Sequence, residues 1–205
     1  IPTTFSLTGY SVSTFNDDVI IHKAHVSKDM DSLYRNAHYD ELLYIQSGKG
    51  VIFTNFGILD INKGDYVIIP KGIIWNISIQ SDIRVLIIES KSAIETPKRY
   101  RNEFGQLLEH SPFCERDIKV PSLQETVDEE GEYKVNVRTF NGLQEMYYAH
   151  HPFDVIGWDG YYFPWVFNIN NFEPITGSIH QPPPVHQTFQ SEGFVICSFV
   201  SRMFD

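Results

Sequence analysis

The sequence predicts a mainly β fold of the sandwich or barrel type, and three observations point to it. Short runs rich in Val, Ile, Phe and Tyr follow one another between residues 19 and 89. Turn-forming segments, among them Asn55–Gly57 and Asn62–Asp65, separate these runs at roughly 8–12-residue spacing, as in all-β domains. The 205-residue chain also holds 15 Phe and 11 Tyr, and aromatic side chains favour strands.

The first region is expected to contain one strand for each of these runs. Glycines in the intervening turns supply the positive φ that tight turns require. In chain order the predicted strands are Val19–His25, Glu41–Gln46, Gly50–Thr54, Ile58–Asn62, Asp65–Pro70, Trp75–Ile79 and Arg84–Glu89.

The pattern becomes less regular after residue 90. The Lys91–Pro121 stretch has no clean period, and the five acidic residues of Glu125–Glu132 indicate a solvated loop. Tyr133–Arg138 alternates like a strand, whereas residues 139–184 are irregular and rich in aromatics. The apolar Phe194–Val200 run is predicted to be a buried strand. The chain ends so soon after it that a fragment of a longer protein is expected.

The charge balance argues against two classes of partner. Sixteen basic and 26 acidic residues give a formal net charge of −10, whereas nucleic acids and anionic membranes need clustered Lys and Arg. No apolar run approaches the ~20 residues of a membrane span, and the first residues lack a signal-peptide pattern. Cys114 and Cys197 lie far apart without metal-ligand spacing, so both are expected to be reduced thiols of a cytoplasmic protein.

A frame of glycines and one proline runs through the first region. Glu41 is followed after six residues by Gly48. Further along, Gly64 is followed after five residues by Pro70 and then by Gly72. This spacing resembles the two sequence motifs of the cupin, a small double-sheet jelly roll, and the resemblance implies such a barrel here.

The metal-ligand positions of that frame are not filled by ligands. A metal-binding cupin has His-x-His three or four residues before the glutamate. Here those slots hold Arg35 and Ala37, or Tyr34 and Asn36. Trp75 takes the histidine position of the second motif, and an indole N–H donates a hydrogen bond but cannot bind a metal. The barrel is therefore predicted to be structural and metal-free, with Trp75 in its core.

The tripeptide from His38 to Asp40 offers an alternative metal site, because a His-x-Asp pair is part of many non-haem iron centres. Alternation along a strand would place both side chains on one face. The third ligand would have to come from the position that Trp75 occupies. Hydrogen bonding at the surface or in a loop is therefore the favoured role for both residues.

His180 and His186 bracket three consecutive prolines. A polyproline course rises about 3.1 Å per residue, which separates the two histidines by roughly 19 Å along the chain. They therefore cannot share one metal ion. A histidine held by a rigid proline segment suits acid–base chemistry, so His180 is the candidate catalytic residue, with a loop or capping role as the alternative.

The stretch His151–Gly160 packs Pro, Gly, Asp and Trp residues into one irregular turn. It resembles the signature of the homogentisate 1,2-dioxygenase family, and the resemblance continues through Tyr161–Pro164, Asn170–Ile175 and Ile179–Pro184. His150 and His151, which precede Pro152, are expected to position the turn. Trp158 is expected to bury its ring.

The resemblance implies a two-cupin, ring-cleaving dioxygenase that uses non-haem Fe(II) and O2 to convert homogentisate to maleylacetoacetate. In the family the iron is bound by two His and one Glu of the second barrel, downstream of this chain. The chain alone is therefore expected to hold no iron and to be inactive. His180 matches the family's proton-accepting histidine, and a homo-oligomer, trimer or hexamer, is implied.

The resemblance also divides the chain into three segments. Residues 1–90 would form the metal-free first barrel, 91–138 connecting loops and a strand, and 139–205 the lead-in to the second, catalytic cupin. Two alternatives stay open. One is a non-catalytic cupin module that binds a small aromatic or mediates assembly, and the other is a dioxygenase of the gentisate type.

Overall fold

A computed structural model describes residues 7–174 and 186–201 of the protein. Short 3-10 turns lie at Lys98–Tyr100, Glu115–Asp117 and Ile169–Asn171. The strands of the described part are β1 Leu7–Phe15, β2 Val19–Val26, β3 Leu33–Asn36, β4 Asp40–Thr54, β5 Gly57–Asn62, β6 Asp65–Ile69, β7 Trp75–Ser90, β8 Ile118–Lys119, β9 Glu130–Thr139, β10 Gly142–His150, β11 Trp165–Asn168, β12 Gln187–Gln190 and β13 Val195–Cys197.

Two long strands, β4 and β7, form the spine of the fold and pair antiparallel along most of their lengths. Their register shifts between Ile45 and Gly50. Gly48 lies at this irregularity with a φ of 90°, and a Cβ there would lie 2.2 Å from the carbonyl oxygen of Asp82, so only glycine fits. The bend lets β4 pair with β6 before it and with β5 after it. The separate strands predicted in β4 and in β7 are therefore halves of single bent strands.

Eleven of the described strands form one mixed sheet in the order β10-β9-β3-β7-β4-β6-β11-β8. Strand β2 joins this path through β7, β1 joins through β2, and β5 joins through β4. The pairing of β3 with β9 is parallel, whereas β2, β4 and β6 pair antiparallel with their neighbours. This architecture is a cupin-type jelly roll, which confirms the predicted fold.

One hydrophobic core fills the barrel interior. Because successive side chains of a strand point to opposite faces, alternate residues of β4 and β6 enter this core. They include Leu43, Ile45, Val67 and Ile69. Trp75 at the start of β7 belongs to the same core with 3% of its surface exposed, as predicted.

A second, aromatic core covers the outer face of the same sheet. Leu42, Tyr66 and Ile68 point outward and meet residues from the irregular half of the chain. The hairpin of β12 and β13, which forms its own two-stranded sheet, contributes two of these partners. The buried partners are Ile94, Tyr100, Phe113, Phe167, Phe172, Phe189 and Ile196.

The structure corrects several expectations for the second half of the chain. The region predicted to be irregular contains β10 and β11. Trp158 is 56% exposed rather than buried, and its ring meets Phe56 edge-on. The predicted strand Phe194–Val200 is reduced to β13, and Phe199 is 81% exposed, because only one side of this segment packs on the aromatic core.

Strands from all three predicted segments are hydrogen-bonded into one sheet. Strand β9 pairs with β3, and β11 pairs with β6 of the first barrel. The boundaries at residues 90 and 138 remain predictions.

Candidate functional site

Two glutamates lie directly opposite each other inside the barrel. Glu41 near the start of β4 is the register partner of Glu89 near the end of β7. Their exposed fractions are 3% and 2%. The inward direction of both side chains follows from strand periodicity. Glu89, for example, continues the inward series of Ile83, Val85 and Ile87.

Three side-chain donors surround the Glu41 carboxyl. The Tyr34 hydroxyl donates to Oε1 at 2.8 Å, and Asn36 Nδ2 donates to the same oxygen at 3.3 Å. Trp75 Nε1 donates to Oε2 at 3.4 Å. The indole that replaces the cupin histidine thus hydrogen-bonds the motif glutamate instead of joining it at a metal.

The Glu89 carboxyl has cationic and amide neighbours. Arg138 Nη2 of β9 lies 3.5 Å from Oε2, and Asn36 Nδ2 lies 3.4 Å from Oε1. His22 of β2 is fully buried, with Nε2 3.6 Å from Oε2. Five strands, β2, β3, β4, β7 and β9, therefore bring polar side chains to one end of an otherwise apolar barrel.

The two carboxyls of this cluster lie in different electrostatic surroundings. Burial raises the pKa of Glu41 to about 8, and the charge of Glu89 acts in the same direction. The hydrogen bonds that Glu41 accepts oppose this rise, because they stabilise the ionised form. At neutral pH Glu41 is therefore mainly a neutral carboxylic acid.

The cluster borders a small internal cavity. Its volume is about 30 Å³, and its lining is apolar apart from the two glutamates, Tyr34 and Trp75. This is room for one or two water molecules, since a water needs roughly 10–15 Å³. An engineered cavity that admits benzene measures about 150 Å³, so an aromatic ring does not fit here.

The residues of the barrel do not fit an iron ion. Glu41 is enclosed by hydrogen-bond donors, and Trp75 offers no lone pair at the position of the second-motif histidine. Across residues 7–174 and 186–201, no group of three or more His, Cys, Asp or Glu side chains has the geometry to hold a metal.

His38 and Asp40 do not form the alternative site. His38 precedes β4, so the two residues do not share a strand. The ring of His38 stacks on Phe140 at 3.8 Å. The buried Asp40 carboxyl accepts from the backbone N–H groups of Lys71 at 3.0 Å and Ile94 at 3.3 Å, and burial raises its pKa. Both serve local packing and hydrogen bonding.

The other histidines singled out by the sequence lie apart from this cluster. His151 Nδ1 accepts from the backbone N–H of Phe153 at 3.1 Å, which confirms its role in the turn. His150 Nε2 lies 3.0 Å from Asp128 Oδ1. His186 contacts the carbonyl oxygen of Ser198 through Nδ1 at 3.1 Å. His180, the predicted catalytic residue, lies outside the described residues.

Sequence reasoning selected Glu41 and Trp75 but missed His22, Glu89 and Arg138. Of these three residues, His22 and Glu89 could have been found from the sequence pattern. His22 shares the inward period of Ala24 and Val26 in β2, as Glu89 does in β7. A polar residue on an inward position of an apolar strand marks a buried polar site.

Comparison with known proteins assigns this chain to a protein family. The family model described as homogentisate 1,2-dioxygenase N-terminal matches residues 1–169. The chain belongs to this family.

The relatives are longer than this chain. A candidate dioxygenase of Saccharolobus solfataricus is 45% identical over 192 residues, which are 93% of this chain and 50% of that protein. The homogentisate 1,2-dioxygenase of Sinorhizobium medicae is 26% identical over 166 residues, 79% of this chain and 36% of that enzyme. The chain thus spans half or less of the length of these relatives.

A solved cupin superfamily protein from Desulfitobacterium hafniense DCB-2 is 20% identical, with a TM-score of 0.37. The matched region covers 44% of this chain and 83% of the chain of that protein. Among the described residues, no helix is long and apolar enough to cross a membrane.

Proposed function

We propose that this chain is the first barrel, with the lead-in to the second, of an enzyme that opens the aromatic ring of homogentisate with O2 and yields maleylacetoacetate. The observation that carries the proposal is the family match over residues 1–169. The named homogentisate dioxygenases among the relatives support the substrate. The relative that is 45% identical supports dioxygenase chemistry without naming a substrate.

The barrel itself would act as a scaffold. Its cavity is too small for a dihydroxyphenyl ring, and its glutamate is enclosed by donors. We therefore assign the Fe(II) of the complete enzyme to residues outside the described part of this chain. No chemical step is assigned to the barrel interior.

His180 is proposed as the acid–base residue of the complete enzyme, where it would take a proton from a substrate hydroxyl. Its sequence setting, with only Gln181 between it and three consecutive prolines, supports this role. We further propose a cytoplasmic homo-oligomer, trimer or hexamer, whose small-molecule partners are the aromatic substrate and O2. Light scattering of the purified complete protein would measure the oligomeric state.

Substrate oxidation by the complete protein tests the proposed reaction. Oxygen uptake and loss of substrate would be followed with homogentisate and with gentisate, in the presence of Fe(II). Faster turnover of homogentisate, with one O2 consumed per ring, is the expected result. Faster turnover of gentisate would favour the gentisate-type alternative. Binding of either phenol without oxygen uptake would indicate the non-catalytic module instead.

The His180→Ala substitution in the complete enzyme tests the proposed base. Turnover is expected to fall by roughly 10²–10⁴-fold, the usual contribution of a positioned acid–base group. Iron content is expected to stay at the unsubstituted level. His186→Ala is the matched control and should have a much smaller effect, because that ring is tied to the backbone of Ser198. Loss of iron in proportion to activity would make His180 a ligand and contradict its role as a base.

A further inference from the structure

The two glutamates of the barrel are placed where only one negative charge is tolerated. Glu41 and Glu89 face each other across β4 and β7, and opposite side chains in an antiparallel pair have Cβ atoms about 4.5–5.5 Å apart. The side-chain amide of Asn36 lies within reach of both, at 3.3 and 3.4 Å. Both carboxyls are almost fully buried. Two carboxylates that share such a site cannot both ionise at their usual pH, because like charges repel strongly out of water.

The guanidinium of the cluster lies beside Glu89 and not beside Glu41. Arg138 from β9 and His22 from β2 both face Oε2 of Glu89, at 3.5 and 3.6 Å. A guanidinium is charged at every pH that a folded protein tolerates, so it stabilises a carboxylate on Glu89.

The three groups that donate hydrogen bonds to Glu41 are neutral. Tyr34 from β3 and Trp75 from β7 donate to its two oxygens, and the amide of Asn36 is neutral as well. Glu41 therefore has no cationic partner among these neighbours and is the carboxyl on which a proton is least costly.

We propose that the Glu41–Glu89 pair binds one proton at neutral pH, carried by Glu41, and that holding this proton makes the first barrel lose stability as the pH rises from the acidic range to the pH at which the pair releases it. The barrel is then a pH-sensitive element, and this property does not depend on the substrate or on the iron of the complete enzyme.

The direction of the effect follows from proton linkage. The pKa of Glu41 is about 8 in the folded chain, against a usual value of 4.5. Between these values the folded chain holds a proton that the unfolded chain has lost. The stabilisation from Glu41 is therefore complete below pH 4.5, is lost as the pH rises, and levels off above about pH 8.

Urea unfolding of the 205-residue chain at several pH values tests this coupling. Glu41→Gln keeps the size of the side chain but cannot ionise. Between about pH 5 and pH 8, the unfolding constant of the unsubstituted chain should rise about tenfold per pH unit relative to that of Glu41→Gln. Glu132→Gln, which changes an exposed glutamate of β9, is the control and should keep the unsubstituted slope. Equal slopes for the unsubstituted chain and Glu41→Gln would overturn the proposal.

Infrared spectroscopy of the folded chain reads the proton directly and does not require Glu41→Gln to fold. A carbonyl stretch of a protonated carboxylic acid is expected at pH 7 and should disappear above about pH 9. It should persist in Asp40→Asn, which removes the other buried carboxyl with a raised pKa. If the band is missing at pH 7, or if it vanishes in Asp40→Asn, Glu41 does not hold the proton.

Discussion

The barrel interior and the aromatic core on its outer face bury side chains in two different ways. The interior is lined by strands whose alternate residues point inward, and the polar cluster around Glu41 and Glu89 lies at one end of it. The outer core is assembled largely from 3-10 turns, short strands and loops that bring aromatic rings together. Phe113, for example, lies 4.7 Å from the Phe167 ring and 6.1 Å from the Phe189 ring. Regular periodicity builds the first core, and long-range contact builds the second.

The two cores share one sheet, and this is what the comparison teaches. Leu43 of β4 points into the barrel, whereas its neighbour Leu42 points into the aromatic core. Strand β6 is buried on both faces along its whole length. A sheet that is covered on both sides cannot lose either covering without exposing apolar surface, so the two cores are expected to unfold together.

The largest expected effect comes from Trp75→Ala in the interior. The substitution leaves a cavity in the barrel and removes a donor from Glu41, so it should cost roughly 3–5 kcal/mol of the free energy of unfolding. Urea titration measures this cost. Trp158→Ala is the matched control and should change stability by less than about 0.5 kcal/mol, because that ring is 56% exposed. Equal costs for the two variants would show that Trp75 is not a core residue.

Phe167→Ala tests whether the aromatic core is as essential as the interior. Phe167 is fully buried in β11, next to Tyr66 of β6, and its loss should cost roughly 3–4 kcal/mol. Unfolding followed by Trp fluorescence and by far-UV circular dichroism should still give one coincident transition. Phe104→Ala, at a ring that is 79% exposed, serves as the control. Two separate transitions in Phe167→Ala would show that the cores are independent.

The same contrast explains how much of the fold could be predicted. Most strands between residues 19 and 89 lie where alternation and turn residues placed them, because both signals are local. The bends within β4 and β7 look like breaks in the sequence. In β4 a glycine in a bulge looks like a glycine in a turn, and in β7 the exposed polar residues Gln80–Asp82 look like a loop. The aromatic core has no period to detect. Phe113 and Phe189 are buried only because distant segments meet there.

The candidate site was predictable in part for a related reason. Glu41 and Trp75 stand at fixed places in a spaced motif, so the sequence alone singled out both residues. The partners Glu89 and Arg138 depend on the pairing of β7 with β4 and of β9 with β3. A single sequence does not contain that register. His180 remains a prediction, because it lies outside the described residues.

The smallest expected loss of stability comes from Tyr34→Phe, which tests a single hydrogen bond at the polar end of the interior. The Tyr34 hydroxyl donates to Glu41 at 2.8 Å, and this bond favours the ionised carboxyl. At pH 6, where Glu41 is neutral, its loss should cost about 0.5–1.5 kcal/mol, the usual value for a neutral hydrogen bond. At pH 9, where Glu41 is ionised, the cost should grow to about 1.5–3 kcal/mol, because the bond is then made to a charge. Urea titrations at the two pH values measure the difference. A cost that is independent of pH would mean that Glu41 keeps one protonation state across this range. The polar end would then differ from the rest of the interior only in its hydrogen bonds.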